Sequence, residues 1–409
     1  MGATSSIVSS VNTGAARVAG RVSEIRQDIH AHPELRFEER RTSELCATEL
    51  EQLGIEVRRG VGQTGVVGLL RGDTVSDGPT VAFRAEMDGL PMDDLCGAPY
   101  QSMIPGVAHL CGHDGHVAAL LGTAMVLSDL RAHLPGNVKF FFEPAEEATP
   151  PGEISGSEAM IADGALDRPS PGAVFGAHFY PDWPAGSIAL RKGAAFTGND
   201  MVRLTIIGRE SHSAVPQNGV DAMLVAAHIV TGLQTLASQL DIGEAVSMHF
   251  STISGGRAPN LLAERVEMTG SFRVSDEGLR DEMPERLERM ARGVCESFGA
   301  TFELDYRSRA TRPVVSTDSE VDVMIGAATE VLGAERVIWM RHPRLAADTM
   351  NHWLNRRPGV FFMVGTANAD PATQFPSHHQ RFDIAPETWP AVVAAESMTA
   401  IRYLGQSRG

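Results

Sequence analysis

The chain has 409 residues, and 35 basic against 51 acidic side chains leave a net charge of −16 with histidine neutral. An apolar share of 43% excludes a disordered chain, and the length suggests two or three domains of roughly 100–200 residues each. The acidic excess disfavours nucleic-acid phosphates, no apolar run reaches the roughly 18–20 residues of a membrane span, and the N-terminus lacks the basic and apolar regions of a secretory signal, so the expectation is a cytoplasmic enzyme.

Val18, Val22, Ile25 and Ile29 recur at spacings of three and four and predict a first helix. Leu45, Leu50 and Leu53 predict a second, stopped by Gly54. Short apolar strands are expected at 66–70, 80–84, 138–142 and 173–178, with helices at 116–130 and 158–166 between them. Such alternation predicts an α/β domain with a mainly parallel sheet, and ligands of such sheets bind where strands end and loops begin.

The pattern changes near residue 196. Val202, Leu204 and Ile206 alternate with Arg203 and Thr205, which predicts a strand with one wet face. A helix near 220–240, strands near 245–253 and through Val266, Met268 and Phe272, a helix near 278–298 and a strand at 301–306 complete the series. The order β-α-β-β-α-β is that of a ferredoxin-like open-faced sandwich. After Pro313 the α/β pattern resumes with a helix near 319–332, a strand at 360–364 and a helix from about 386. The expected organisation is therefore a catalytic domain of residues 1–195 and 310–409, interrupted by an inserted domain of residues 196–309.

The four cysteines, Cys46, Cys96, Cys111 and Cys295, form no disulfide-like or CxxC framework. Three read as buried thiols, but Cys111 stands in HLCGHDGH (109–116) among three histidines, just ahead of a helix. Thiolate and imidazole both suit zinc and similar divalent ions, and the single glycine between Cys111 and His113 lets a tight loop aim both at one ion. Four neighbours cannot all bind one ion, which leaves His109 and His116 to support the others. The structural alternative is a polar loop capping the helix through Asp114.

EPAEE (143–147) follows the buried strand at 138–142. Adjacent carboxylates repel unless a cation or proton lies between them. A metal hydrolase needs one carboxylate as ligand and another as general base, and Glu146 and Glu147 could divide those tasks. His178 is expected at a carboxyl end of the same sheet. One of His378 and His379, in PSHHQRFDI (376–384), could close the coordination sphere.

Together these segments resemble the M20 metallopeptidases, and within them the N-acyl-amino-acid amidohydrolase branch, which includes aminoacylase-like, hippurate-hydrolase-like and indole-acetyl-amino-acid-hydrolase-like enzymes. The resemblance also runs through IRQDIHAHPEL (25–35), AFRAEMDGLP (82–91), FGAHFYP (175–181), GRESHSAVPQNGVDAM (208–223), SGGRAPNLL (254–262) and GSFR (270–273). It implies an α/β catalytic domain with an inserted lid that mediates homodimerisation, and one or two divalent ions, Mn²⁺ or Zn²⁺, per subunit. Cys111, His113, Glu147, His178 and His378 are implied as ligands, His378 through the family's H-x-x-x-F-D pattern. Glu146 is implied as general base and Asp88 as a support behind the ligands. His212 is implied to reach a neighbouring subunit's site and stabilise an oxyanion. Asn260 and Arg273 are implied to hold the polar end of a small, carboxylate-bearing substrate.

The implied reaction is hydrolysis of the amide bond of an N-acyl or N-aroyl amino acid. Three departures from the family pattern are the long, proline-rich loop after Glu147, Glu86 in place of Asp, and Ala347-Asp348 in place of Glu-Asp. They leave two alternatives: hydrolysis of another carbon–nitrogen bond, such as deamination of an aromatic amine, or a non-catalytic metal-dependent binding protein.

Overall fold

The apolar stripe of the first segment folds as a helix of 30 residues, Gly2–Ala31. Val11, Ala15, Val18, Val22, Ile25 and Ile29 on that stripe are all at most 5% exposed. The computed structural model describes residues 2–73, 78–147, 149–150, 152–240, 246–307 and 311–406. Contacts divide the chain into two units, one of residues 1–193, 315–340 and 352–409, the other of residues 194–314 and 341–351.

The larger unit is built on an eight-stranded sheet. Its order is Glu56–Val61, Gly65–Arg71, Asn137–Glu143, Thr80–Glu86, Ala173–Pro184, Gly359–Ala367, Ile188–Leu190 and Val337–Trp339. The four strands from Asn137–Glu143 to Gly359–Ala367 run parallel, so their carboxyl ends share one edge. Asn137–Glu143 and Thr80–Glu86 are buried at every position, as strands covered on both faces require. Antiparallel pairing is confined to the flanks, at Glu56–Val61 with Gly65–Arg71, Gly65–Arg71 with Asn137–Glu143, and Gly359–Ala367 with Ile188–Leu190. Helices Gly2–Ala31, His113–Asp129, Asp318–Leu332 and Thr388–Gln406 contribute to the core cluster on this sheet.

The smaller unit contains a four-stranded antiparallel sheet in the order Thr301–Arg307, Gly198–Ile207, Arg265–Val274, Val246–Gly255. Helices Ala222–Ser238 and Glu277–Phe298 bury Val225, Ile229, Ala291 and Cys295 against Leu204, Ile206, Val266 and Met268. This is the β-α-β-β-α-β arrangement expected from the alternation of residues. Arg341–Asn351 joins the same unit, where Thr197 N–H donates to Arg344 O at 3.0 Å and Arg344 N–H to Ala195 O at 2.9 Å. The expected boundary at 309 falls among residues 308–310, outside the described residues.

Several boundaries differ from the periodicity. The strand expected to end at His178 continues to Pro184, and the helix expected from 116 begins at His113. Gly112 sits ahead of that helix at φ 91°, a left-handed conformation that glycine adopts without a Cβ penalty. Strands Glu56–Val61, Ile188–Leu190 and Val337–Trp339 were not expected; they are short or largely exposed, too little for alternation to register.

Candidate metal centre

The left-handed Gly112 turns the chain so that Cys111 precedes the helix while His113 opens its first turn. Nδ1 of His113 donates to Asp88, 2.9 Å from its backbone O and 3.2 Å from Oδ1. That bond fixes the ring's orientation, so Nε2 is the nitrogen left to face an ion once the imidazole is neutral. Nε2 is buried and makes no hydrogen bond among the described residues. Asp88 lies just past the carboxyl end of Thr80–Glu86.

His178 sits within its strand, 4% exposed. The ladder to Thr80–Glu86 stops at Arg84 opposite Gly176, so beyond that point this flank of the strand is open. There Nε2 of His178 lies 3.4 Å from Sγ of Cys111. The ring of Tyr180 stacks against that of His178 at 4.6 Å.

The carboxylate pair follows the strand Asn137–Glu143. Ala145 takes φ 48°, unusual for a residue with a Cβ, and its N–H donates to Oε1 of Glu39 at 2.8 Å. Glu39 also accepts from Phe37 N–H at 2.9 Å and from the Thr64 hydroxyl at 2.6 Å. One residue past Glu146, the Glu147 N–H donates to Oδ2 of Asp88 at 2.8 Å. Asp88 thus touches both arms, His113 through one oxygen and Glu147 through the other. Ligand atoms of His113, Glu146 and Glu147 all lie within 4.8 Å of one another.

The structure separates His378 from His379. His378 adopts φ 67°, and its N–H donates to Leu110 O at 2.6 Å, beside Cys111. Its Nε2 lies 3.3 Å from Sγ of Cys111 and 3.2 Å from Oε1 of Glu147, the latter oriented so that the buried oxygen gains no hydrogen bond. His379 turns away and stacks on Phe375 at 4.4 Å.

Charge explains the donor states. Burial pushes the Cys111 thiol well up, and the Glu147 carboxylate adds to it. Burial opposes charge on His113, but Cys111, Asp88 and Glu86 outweigh it and raise its pKa. Burial lowers His109 to about 4, with His30 and His113 adding to the shift and Asp114 and Asp88 opposing it. Burial and the neighbouring His113 also lower His116, which donates through Nδ1 to Glu86 at 2.7 Å. A dication among these groups reverses the logic, since it favours thiolate and neutral imidazole. The triads Cys111–His113–His178 and Cys111–Glu147–His378 each have ligand atoms within 4.8 Å and share the sulfur. With Nε2 of His113 and Oε1 of Glu147 buried and unbonded, the soft and hard donors together fit a divalent ion, and the shared sulfur leaves room for a pair.

The other departures are structural. Asp114 does not cap the helix; it is buried in the first turn, with Gly112 at the N-cap position. Asp348 is buried in the smaller unit, where Oδ1 accepts from Met350 N–H at 2.7 Å. In the loop after Glu147, residues 148 and 151 lie outside the described residues, and Ser155 with Glu158 forms a capping box on Gly156–Ala162.

His212, Asn260 and Arg273 all belong to the smaller unit. His212 and Asn260 are exposed neighbours, with His212 bridging Leu261 and Ser213 N–H donating to Asn260 O at 2.9 Å. Arg273 lies near the opposite end of the strand Arg265–Val274. At roughly 3.3 Å per residue that places Arg273 about 26 Å along the strand from Arg265.

Glu39 escaped the sequence reading. It lies 106 residues from Ala145, in the mixed-charge stretch RFEERR (36–41), where no local pattern marks it.

Residues 82–398 match the family model described as peptidase family M20/M25/M40. N-acyl-L-amino acid amidohydrolase of Geobacillus stearothermophilus is 36% identical over 295 residues, 72% of this chain and 77% of that protein. N-acetylcysteine deacetylase of Bacillus subtilis is 31% identical over 373 residues, 90% of this chain and 92% of that one. Among solved structures, the Bacillus subtilis YXEP protein, a dinuclear metal-binding peptidase from the M20 family, has a TM-score of 0.81 at 28% identity and covers 95% of this chain and 99% of its own. With the family model spanning most of the sequence and similar proteins aligned over nearly its full length, the chain belongs to peptidase family M20/M25/M40.

Proposed function

We propose that the chain is a metal-dependent amidohydrolase that cleaves the amide bond of N-acyl or N-aroyl amino acids, releasing a carboxylic acid and an amino acid. One observation carries the reading: two ligand triads meet at Cys111 while Glu146 stands within 4.8 Å of His113 and Glu147. Similarity to an N-acyl-amino-acid amidohydrolase and to a deacetylase supports the bond class.

Cys111, His113, Glu147, His178 and His378 would hold the ion or ions, Mn²⁺ or Zn²⁺. A bound dication lowers the pKa of water and polarises an acyl oxygen. Glu146 accepts the proton from the attacking water and returns it to the leaving nitrogen. Asp88 keeps its neighbours fixed by holding Nδ1 of His113 and the Glu147 N–H.

We assign the smaller unit to the lid and to homodimerisation. Helix Ala222–Ser238 has no charged residue, yet Met223, Leu224 and Val230 on it are 39%, 48% and 37% exposed. Val246–Gly255 forms an open sheet edge among the described residues and carries Ile253 at 52% exposed. An apolar face beside an open edge is the surface that a second copy covers. In such a dimer His212 would stabilise the oxyanion in the partner subunit's site. Asn260 and Arg273 would hold the polar, carboxylate-bearing end of the substrate. The Cys111 thiolate requires a reducing compartment, which favours the cytoplasm.

The test is a product assay on the metal-loaded protein with N-acetyl, N-benzoyl and indole-acetyl amino acids and with aromatic amines. Free amino acid is the expected product. Ammonia from the amines, with no cleavage of the conjugates, would refute the proposal.

A further inference from the structure

We infer that Arg26 is a positioning residue of the metal centre, tying the segment of Cys111 and His113 to the segment of His378. The inference rests on the metal-centre reading above. Arg26 lies in the helix Gly2–Ala31 and is 2% exposed. Its Nε donates to Oδ2 of Asp114 at 2.7 Å, and its Nη1 donates to Oδ1 of Asp383 at 2.7 Å. Asp114 immediately follows His113, and Asp383 follows His378 within the same short segment. The two partners lie 88 and 357 residues away in sequence, so a buried side chain, not the covalent chain, sets their separation.

The surroundings hold this clamp in place. The Tyr100 hydroxyl donates to Oδ2 of Asp383 at 2.9 Å, and the guanidinium carbon of Arg26 stands 5.0 Å from the Tyr100 ring centroid. His30, one turn beyond Arg26, places Nδ1 at 2.7 Å from Oδ2 of Asp114 and Nε2 at 3.2 Å from Oδ2 of Asp94. Since both partners are carboxylates, His30 donates from both nitrogens as an imidazolium. Burial and Arg26 oppose that charge, but Asp114 and Asp94 hold it up to about 10. Asp94 is anchored in turn by the N–H groups of Cys96 and Ser102, at 2.9 and 2.8 Å.

The chemistry explains the choice of arginine. Its planar fork addresses two carboxylates along two fixed directions, whereas lysine is a point charge that satisfies one geometry at a time. A buried carboxylate that loses its cation is costly even where His30 or Tyr100 still bonds it, so loss of the fork lets Asp114 or Asp383 shift toward water. Either shift moves a neighbouring ligand. The clamp also gives a physical reason for three distant motifs, IRQDIHAHPEL, HLCGHDGH and PSHHQRFDI, to occur in one chain.

The test strips the full-length protein with a chelator and titrates it with Co²⁺ against a competing chromophoric chelator. Affinity and the thiolate-to-cobalt absorption are recorded for the parent, Arg26→Lys and Asp383→Asn. Both variants are expected to bind Co²⁺ about 10–100-fold more weakly, the range found when groups behind metal ligands are removed, and to show an altered absorption band. Asp383→Asn keeps the Arg26–Asp114 pair and decides the matter if Arg26→Lys does not fold. A lower melting temperature with unchanged Co²⁺ affinity and spectrum would assign Arg26 a merely structural role and overturn the inference. Failure of the parent chain itself to bind Co²⁺ would overturn the metal-centre reading and, with it, this one.

Discussion

Glu396 offers a prediction whose sign and size follow from its surroundings. It lies on the helix Thr388–Gln406, 3% exposed, with Oε2 accepting from the Thr123 hydroxyl at 2.6 Å. Burial pushes its carboxyl from an ordinary 4.5 to about 7, against the opposing bond from Thr123. The folded state therefore favours the protonated form. Its contribution to stability is whole below about pH 4.5, fades as pH rises to about 7, and is absent above that. At about 1.4 kcal/mol for each tenfold in proton affinity, the full contribution is roughly 3 kcal/mol, of which about 1.3 kcal/mol disappears between pH 6 and pH 8. Glu396→Gln has nearly the same shape and does not ionise. Its fixed cost is the same at every pH and cancels when two pH values are compared. Thermal unfolding of both proteins at pH 6 and pH 8, each above the sequence pI of 5.3, supplies the comparison. The parent should lose about 2 °C more than the variant over that interval, given the entropy of unfolding of a unit this large. Equal losses would show that the carboxyl titrates normally and would refute the reasoning.

Three further expectations concern the site and the lid. Glu146→Gln should retain its full metal content by elemental analysis while kcat falls about 10²–10⁴-fold, the usual value of a positioned general base; unchanged turnover would contradict the assignment. Glu39→Ala leaves the Ala145 N–H without its acceptor, and denaturant unfolding should register a loss of about 1–3 kcal/mol together with a lower kcat, whereas a loss of neither would show that the turn at Ala145 holds itself. Leu224→Glu puts a charge on the uncharged face of Ala222–Ser238, and light scattering should report a dimer for the parent and a monomer for the variant; the same mass for both would contradict the proposed interface.

Much of the fold was legible because its signals are local. Strands such as Thr80–Glu86 are apolar throughout since both faces are covered, and the change to alternation at Val202 marks a sheet with one face toward water. HLCGHDGH and EPAEE were legible for the same reason, since each packs its donors within a few residues. What remained hidden was the long-range pairing. Nothing near Arg26 or Glu39 reveals that one bonds Asp114 and Asp383 and the other Ala145. His378 is picked out from His379 only through the H-x-x-x-F-D resemblance, while the left-handed backbone and the tether to Leu110 that place it are invisible in the histidine pair itself. The membership of Arg341–Asn351 in the smaller unit needed its bonds to Ala195 and Thr197. The strand through His178 overran its expected end because its ladder with Gly359–Ala367 continues as far as Pro184, while the ladder to Thr80–Glu86 stops at Gly176.

The central claim is that one metal centre, built from Cys111, His113, Glu147, His178 and His378, performs amide hydrolysis. Its most direct test is to remove all metal from the full-length chain, add back Mn²⁺ or Zn²⁺ in measured increments, and follow release of the amino acid from an N-acyl amino acid. The account predicts no turnover without metal and activity that rises in proportion to bound ion, levelling at one or two per subunit. Full turnover by the metal-free chain, or no turnover at saturating Mn²⁺ and Zn²⁺, would contradict it.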